Sequence, residues 1–89
     1  MIIKQTTIIN KLGLHARAAT KFANTAMQYS STISVTCNGK NIDGKSIMSL
    51  MLLAASKGTE IEIQVDGDDE EIALNALITL INNKFEETE

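Results

Sequence analysis

The chain has 89 residues, and 44% of them are hydrophobic, which is enough for one small domain with its own core. Its 8 basic and 11 acidic residues give a net charge of −3, and it contains one Tyr, two Phe and no Trp. Such a chain lacks the basic surface and the stacking rings of a nucleic-acid-binding protein. We therefore expect a single domain over residues 1–89 that does not bind nucleic acid.

Cysteine usage and the amino terminus bear on the compartment. Cys37 is the one cysteine, so it can form neither an internal disulfide nor a cysteine-rich zinc site, and we expect a small buried side chain in a reducing environment. The amino terminus turns polar at Lys4, too early for a signal peptide, and no apolar run approaches the roughly 20 residues of a membrane span. These features predict a cytoplasmic protein without membrane insertion.

The first half of the chain predicts a strand, a helix and a β-hairpin. Residues 2–9 are rich in β-branched side chains, which is typical of a strand. Residues 16–28 predict a helix, because their apolar residues recur at helical spacing: Ala19, Phe22, Ala23, Ala26 and Met27. Residues 32–37 alternate between apolar and polar and predict a second strand. The Asn-Gly pair at 38–39 then predicts a tight hairpin with a return strand over 40–42.

The second half predicts a helix, a strand and a helix. Ser46 can cap a helix over 47–55, which is apolar nearly all round, and Lys57-Gly58 is expected to end it. Residues 60–65 alternate as a strand. Residues 69–84 predict the last helix, with a buried stripe formed by Leu74, Leu77, Ile78, Ile81 and Phe85.

The element order is therefore β-α-β-β-α-β-α. Strands 32–37 and 60–65 are each apolar on one face only. This pattern indicates an antiparallel sheet with one face open to solvent and helices packed on the other. The predicted fold class is α+β, an open-faced β-sandwich.

Acidic residues cluster at the start of the last predicted helix: Asp68, Asp69, Glu70 and Glu71. We interpret them as charges that stabilise the positive end of the helix dipole rather than as metal ligands. His15 also lacks a partner ligand three or four residues away. We expect no metal and no cofactor.

His15, the only histidine, directly precedes the first predicted helix. A helix N-terminus offers free N–H groups and a positive dipole end to a phosphoryl group, and imidazole is a good nucleophile near neutral pH. Arg17, in the first turn, is close enough to pair with that group. The alternative is a loop or capping histidine without a role. A hydrolase triad is not expected, because no G-x-S-x-G elbow is present and nothing marks an acidic partner for His15.

Ser46 is the second candidate site. It follows Lys45 at a helix start, as at the end of a phosphate-binding loop, but the full G-x-x-x-x-G-K-[ST] motif is absent, so nucleotide binding is not expected. Ser46 can serve as a cap alone, or as a phosphorylation site whose charge would repel a partner docking beside it.

The helix after Ser46 is too apolar to be exposed on every side. Leu50, Leu53 and Ala54 are expected in the core. The candidates for an exposed docking patch are Ile47, Met48 and Met51, since methionine adapts to several partners.

Three segments together resemble the HPr family, the histidine-containing phosphocarrier proteins of the bacterial phosphoenolpyruvate-dependent phosphotransferase system: 13–17 (GLHAR), 45–48 (KSIM) and 57–61 (KGTEI). The resemblance covers essentially the whole chain. It implies a four-stranded antiparallel sheet with three helices on one face. It also implies a stoichiometric phosphoryl carrier rather than an enzyme. An unrelated α+β domain with an incidental histidine is the remaining alternative.

The resemblance assigns roles to single residues. His15 would be the phosphoryl acceptor, through Nδ1, and Arg17 would stabilise the phosphoryl group. Ser46 would be a regulatory phosphorylation site. The family usually has proline where this chain has Ala18, and since alanine is an excellent helix former we expect slightly softer positioning of Arg17 with no loss of chemistry.

The resemblance also implies partners. Enzyme I would donate the phosphoryl group, IIA proteins would accept it, and an HPr kinase/phosphorylase would modify Ser46. Enzyme I and the IIA proteins would dock on Ile47, Met48 and Met51. There are two alternative functions. The protein could be a nitrogen-branch carrier of the NPr type, or a regulatory interaction protein controlled by Ser46 phosphorylation. We expect a monomer.

Overall fold

The computed structural model describes residues 1–87, whose regular elements follow the predicted order. The strands are β1 (Ile2–Thr7), β2 (Thr32–Cys37), β3 (Lys40–Asp43) and β4 (Glu60–Asp66). The helices are α1 (Ala16–Ala26), α2 (Ile47–Leu52) and α3 (Glu70–Asn82), and a 3-10 turn, Lys84–Glu86, follows α3. No helix in this part of the chain is long and apolar enough to cross a membrane.

The four strands form one antiparallel sheet in the order β1-β4-β2-β3. One face carries the alternating apolar residues of β2 and β4, all of them buried: Ile33, Val35, Cys37, Ile61, Ile63 and Val65. Removing each of the larger side chains from water stabilises the fold by about 1.5–3 kcal/mol. The three helices belong to the same layered core, so the predicted open-faced sandwich is confirmed.

The first strand and helix both end two residues earlier than predicted. β1 ends at Thr7, although the Ile8 N–H still donates to the carbonyl of Thr59, the residue before β4, at 2.9 Å. α1 ends at Ala26, and its next residue, Met27, is 53% exposed rather than part of the buried stripe. The rest of that stripe is buried as predicted.

Helix α2 ends at Leu52, short of the predicted 47–55. Ala54 has a φ of +51°, so it takes the left-handed position that the sequence had suggested for Gly58. Gly58 lies further on in a turn, where its N–H donates to the Ile8 carbonyl at 2.7 Å.

The early end of α2 changes which side chains are buried. Leu50 and Leu53 lie in the core as predicted, but Ala54 is exposed, so its predicted burial was wrong. The left-handed residue redirects the chain, and the next residue, Ala55, enters the core instead.

The last helix also stops early, at Asn82 rather than residue 84. Phe85 is fully buried as predicted, but a tight turn places it there rather than the helical stripe. Lys84, Phe85 and Glu86 all have φ between +55° and +64°. Each such residue costs roughly 1 kcal/mol, and burying the phenyl ring offsets part of that cost.

The acidic cluster ties α3 to the rest of the fold. Asp69 accepts the N–H groups of Ser30 and Ser31 at 2.9 and 3.0 Å and also the Ser31 hydroxyl, rather than capping its own helix. Glu70 accepts the Gly67 N–H at 3.2 Å. Asp69 therefore joins the α1–β2 connection to the start of the last helix, while Glu70 closes the turn that precedes that helix.

Candidate functional site

The loop before α1 is held against the segment that follows α2. Gly13 has a φ of +69°, and a Cβ there would overlap the Ala55 carbonyl and lie 2.8 Å from the Ser56 Cα. The next residue, Leu14, is buried and donates its N–H to the Ala55 carbonyl at 2.8 Å. Glycine is therefore required at position 13, and the loop delivers residue 15 to the helix start in a fixed position.

His15 occupies the N-cap position of α1 with extended backbone. Its carbonyl accepts the Ala19 N–H at 2.8 Å, while its side chain makes no capping bond. The imidazole is therefore not engaged by the helix backbone. The side chain is 28% exposed, so it can be reached from solvent.

An open cleft of about 720 Å³ lies in front of this histidine. It is lined by two basic, two acidic and three other residues: Lys11, Arg17, Glu86, Glu87, Leu12, His15 and Ala16. The structure thus brings His15 and Arg17 to one cleft, together with acidic residues from the end of the chain.

Glu87 joins His15 to a buried asparagine. One carboxylate oxygen, Oε2, lies 2.5 Å from Nε2 of His15, and the other, Oε1, accepts the Nδ2 group of Asn10 at 3.0 Å. Asn10 is fully buried and its Nδ2 also donates to the Gly13 carbonyl at 2.8 Å. The carboxylate is thus held between the ring and the loop that precedes it.

Glu87 is thus an acidic partner of His15 that nothing in the sequence marked. Glu87 lies 72 positions away along the chain. Partial burial disfavours its ionised form, but the hydrogen bonds from Asn10 and His15, and the charges of His15 and Arg17, together hold the pKa of Glu87 below its usual value. The carboxylate is ionised near neutral pH.

An ionised carboxylate only accepts hydrogen bonds, so it requires a proton on Nε2 of His15. In the neutral ring the lone pair is then on Nδ1. Nδ1 has no hydrogen-bond partner among residues 1–87. In this arrangement Nδ1 carries the free lone pair, while Nε2 is hydrogen-bonded to Glu87.

Arg17 is the second residue of α1 and is exposed. Its guanidinium makes no ion pair with any residue that the structure describes, although its charge is near enough to act on Glu87. The N–H groups of the first helical turn have no intrahelical acceptor. Ala18, where the family usually has proline, is fully buried in the same turn. The helix nevertheless starts at Ala16.

Ser46 lies outside this cleft, at the N-cap of α2. Its hydroxyl oxygen accepts the Ser49 N–H at 3.2 Å, so it caps the helix. The preceding Lys45 donates to the Tyr29 carbonyl at 2.8 Å, which anchors the residue before the cap to the connection that follows α1.

An apolar surface, here called the α2 patch, follows Ser46. Its members are the three predicted residues, Ile47 (36% exposed), Met48 (75%) and Met51 (45%), together with Leu52 (74%). Leu52 was missed by the sequence analysis, because a helix expected to run to residue 55 and to be apolar all round does not show which side is open. Leu12, at the rim of the cleft, is also exposed.

Comparison with known proteins adds to this geometry. Residues 2–83 match the family model described as the PTS HPr component phosphorylation site. The chain belongs to the HPr family. It is 55% identical over 89 residues to the phosphocarrier protein HPr of Neisseria meningitidis, and the match covers all of both chains.

Solved structures of this family share the fold. HPr-C-His from Thermoanaerobacter tengcongensis superposes with a TM-score of 0.96 at 44% identity, covering all of both chains. A structure described as an HPr dimer from the same organism gives a TM-score of 0.79 at 46% identity, covering 92% of this chain and 94% of the other. This HPr-family chain is therefore a phosphocarrier protein of the phosphotransferase system.

Proposed function

We propose that His15 accepts a phosphoryl group from phospho-Enzyme I and passes it to IIA proteins of the phosphoenolpyruvate-dependent sugar phosphotransferase system. The observation that carries this proposal is the state of the imidazole ring. Its Nε2 is held by Glu87, while Nδ1 has no partner in residues 1–87 and the ring borders an open cleft beside Arg17.

The transfer exchanges one phosphorus–nitrogen bond for another. The Nδ1 lone pair of His15 attacks the phosphorus of the donor phosphohistidine in line, and the donor bond breaks as its electron pair returns to the donor ring. Arg17 and the first N–H groups of α1 stabilise the negative oxygens during transfer. The second transfer, to a IIA protein, is the same step with His15 as the donor.

A carrier must also release what it accepts. The site offers one exposed arginine and a helix start rather than a buried cage of cations. Charge interactions at such a solvent-exposed position are weakened by water. This balance suits a protein that is a substrate of enzymes and forms a transient phosphohistidine.

The experiment is to incubate the protein with phosphoenolpyruvate and Enzyme I and to measure its intact mass. We expect the gain of one acid-labile phosphoryl group, which His15→Ala abolishes. No gain, or a gain that persists in His15→Ala, would overturn the proposal.

The same phosphorylated protein distinguishes the sugar branch from the nitrogen branch. It is mixed in turn with a sugar-specific IIA protein and with a nitrogen-branch IIA protein, and the loss of phosphoryl mass is followed over time. Faster transfer to the sugar-specific protein supports the sugar branch, and the reverse identifies an NPr-type carrier.

We further propose that Ser46 is a phosphorylation site for an HPr kinase/phosphorylase and that Ile47, Met48 and Met51 contact Enzyme I and IIA proteins. The supporting observation is that the capping hydroxyl directly precedes the exposed α2 patch. A phosphate there places about two negative charges beside an apolar docking surface.

Ser46→Asp adds charge while keeping an oxygen that can cap the helix. We expect this variant to unfold at the same temperature as the wild type but to accept phosphoryl groups from Enzyme I more slowly. Ser46→Asn is the matched control, because it also caps but adds no charge. Equal rates for the two variants would contradict the role of charge.

We propose a monomer in the cytoplasm. A dimer is the alternative, since an HPr structure described as a dimer matches this chain. Sedimentation at the concentration used for phosphotransfer distinguishes the two states.

A further inference from the structure

The end of the described chain, residues 84–87, is here called the strap, and it borders the His15 cleft through Glu86 and Glu87. Phe85 anchors it in the core, and Lys21 holds it from α1 by donating to the Phe85 carbonyl at 2.9 Å and pairing with Glu86 at 3.4 Å. Its backbone adopts left-handed φ angles at three consecutive residues without glycine. A conformation this unfavourable persists only where several contacts enforce it.

These contacts position Glu87 at the ring. Two donors converge on its carboxylate, Nδ2 of Asn10 at 3.0 Å and Nε2 of His15 at 2.5 Å. Only a group that accepts at both oxygens satisfies both donors. A glutamine at position 87 would direct its NH₂ group either at Nδ2 of Asn10 or at Nε2 of His15. A ring facing that NH₂ group through Nε2 would have to move its proton to Nδ1.

We propose that Glu87 is a positioning residue for phosphoryl transfer: its carboxylate holds the proton of His15 on Nε2, so that the lone pair is on Nδ1. The inference rests on the proposed role of His15 as phosphoryl acceptor. Glu87 acts through the histidine and does not contact the phosphoryl group.

The same contact serves the transfer itself. As the Nδ1–phosphorus bond forms, the ring acquires positive charge, while its Nε2 proton stays in place and the donor ring recovers its own electron pair. The Glu87 carboxylate stabilises the charge that develops on the ring. When the phosphoryl group leaves for the next acceptor, the bonding pair returns to Nδ1 and the ring regains the tautomer from which it began.

Other charged groups border the ring, and they have different effects. Arg17 on α1 and Lys11 on the preceding loop line the cleft and favour incoming anions. Glu86 lies in the strap but pairs with Lys21 instead of the ring. Within residues 1–87, Glu87 is the carboxylate that contacts the imidazole.

The direct test is nitrogen NMR of the unphosphorylated protein, in which His15 is the only histidine. Spectra of the wild type, Glu87→Gln and Glu60→Gln are recorded at a pH where the ring is neutral; Glu60 is an exposed carboxylate on β4, outside the cleft lining. We expect the wild type and Glu60→Gln to carry the ring proton on Nε2. In Glu87→Gln we expect the Nδ1-protonated form to become substantial. A wild-type ring protonated on Nδ1, or three identical spectra, would overturn the inference.

Kinetics supply the second readout. With phosphoenolpyruvate and Enzyme I, we expect Glu87→Gln to accept the phosphoryl group about tenfold more slowly at saturating concentration, with KM little changed. Glu60→Gln should match the wild type. A tenfold loss confined to KM would indicate a docking role and would overturn the inference.

A third variant guards against misfolding. Glu87→Asp keeps an acceptor-only group on a shorter side chain, so it should recover part of the lost rate and of the wild-type tautomer. If it behaves like Glu87→Gln in both measurements while remaining folded by backbone NMR, the inference is overturned. Failure of the wild type to accept any phosphoryl group would instead contradict the proposed function, since the tautomer measurement needs no phosphoryl transfer.

Discussion

At the scale of single residues, the two nitrogens of His15 are made unequal by their surroundings. Glu87 lies 2.5 Å from Nε2, whereas Nδ1 has no partner in the described chain. Arg17 supplies a cation on the same side of the fold, from the first turn of α1. The proposed phosphoryl acceptor and its cationic neighbour thus lie two positions apart, and the carboxylate that contacts the ring comes from the opposite end of the sequence.

Arg17→Ala tests the contribution of the cation. We expect phosphoryl transfer from Enzyme I to slow by about 10- to 100-fold, because one donor to the developing negative charge is lost at a solvent-exposed site. Rates are measured by quenched intact-mass kinetics. Lys40→Ala, which removes an exposed cation from β3, is the control, and an equal loss in both variants would attribute the effect to net charge alone.

The sequence predicts that His15 and Arg17 lie together at one helix start, and the structure places both at one cleft, because their positions depend on neighbours close in the sequence. It cannot predict Glu87 in the same way. The contact joins positions 72 apart, and it depends on three left-handed residues that no short pattern indicates. Asn10 donates to the other oxygen of the Glu87 carboxylate, but the sequence predicts only that it lies in a loop.

At the scale of elements, strands β2 and β4 were more predictable than the helix ends. Strict alternation in β2 and β4 specifies a single buried face, and a shift by one residue would expose all of their apolar side chains. Helix α2 lacks such a constraint. Its leucine and alanine residues favour continuation past Leu52, but the chain turns at Ala54, whose φ is +51°, and the Ala55 carbonyl accepts the Leu14 N–H.

The left-handed residue after α2 gives a stability prediction of unusual sign. Ala54 is exposed with a φ of +51°, so Ala54→Gly should raise the free energy of unfolding by about 0.5–1 kcal/mol. Ala76→Gly, within α3, should lower it by about 1 kcal/mol. Urea denaturation measures both. A loss of stability in Ala54→Gly would contradict the left-handed geometry at that position.

At the scale of the whole molecule, carboxylates connect segments that are distant in the sequence. The Ser31 hydroxyl and the Ser30 and Ser31 N–H groups outweigh partial desolvation and lower the pKa of Asp69. The Gly67 N–H and the amino terminus of Met1, 3.2 Å away, lower the pKa of Glu70, and Asn10 and His15 lower that of Glu87 against its partial burial. Folding favours the ionised form of each group. Their stabilising effect is therefore complete above the usual carboxyl pKa values and is lost as the pH falls through the lowered ones.

Asp69→Asn tests this acid sensitivity. At pH 7 we expect the variant to melt at a lower temperature than the wild type, and below about pH 4 the difference should shrink, because the wild-type carboxyl becomes protonated there. Thermal unfolding is followed by circular dichroism across that range. The exposed neighbour Asp68 provides the control, since Asp68→Asn should melt like the wild type at every pH. A difference for Asp69→Asn that does not depend on pH would contradict the assignment.

The central claim is that Nδ1 of His15 accepts the phosphoryl group, and one measurement tests it directly. The protein labelled with ¹⁵N is phosphorylated with phosphoenolpyruvate and Enzyme I, and the ring nitrogen that couples to phosphorus is identified by NMR, without overlap because the chain has a single histidine. Coupling to Nδ1, with the proton retained on Nε2, is the predicted result. Phosphorus on Nε2, or on a residue other than His15, would contradict the account.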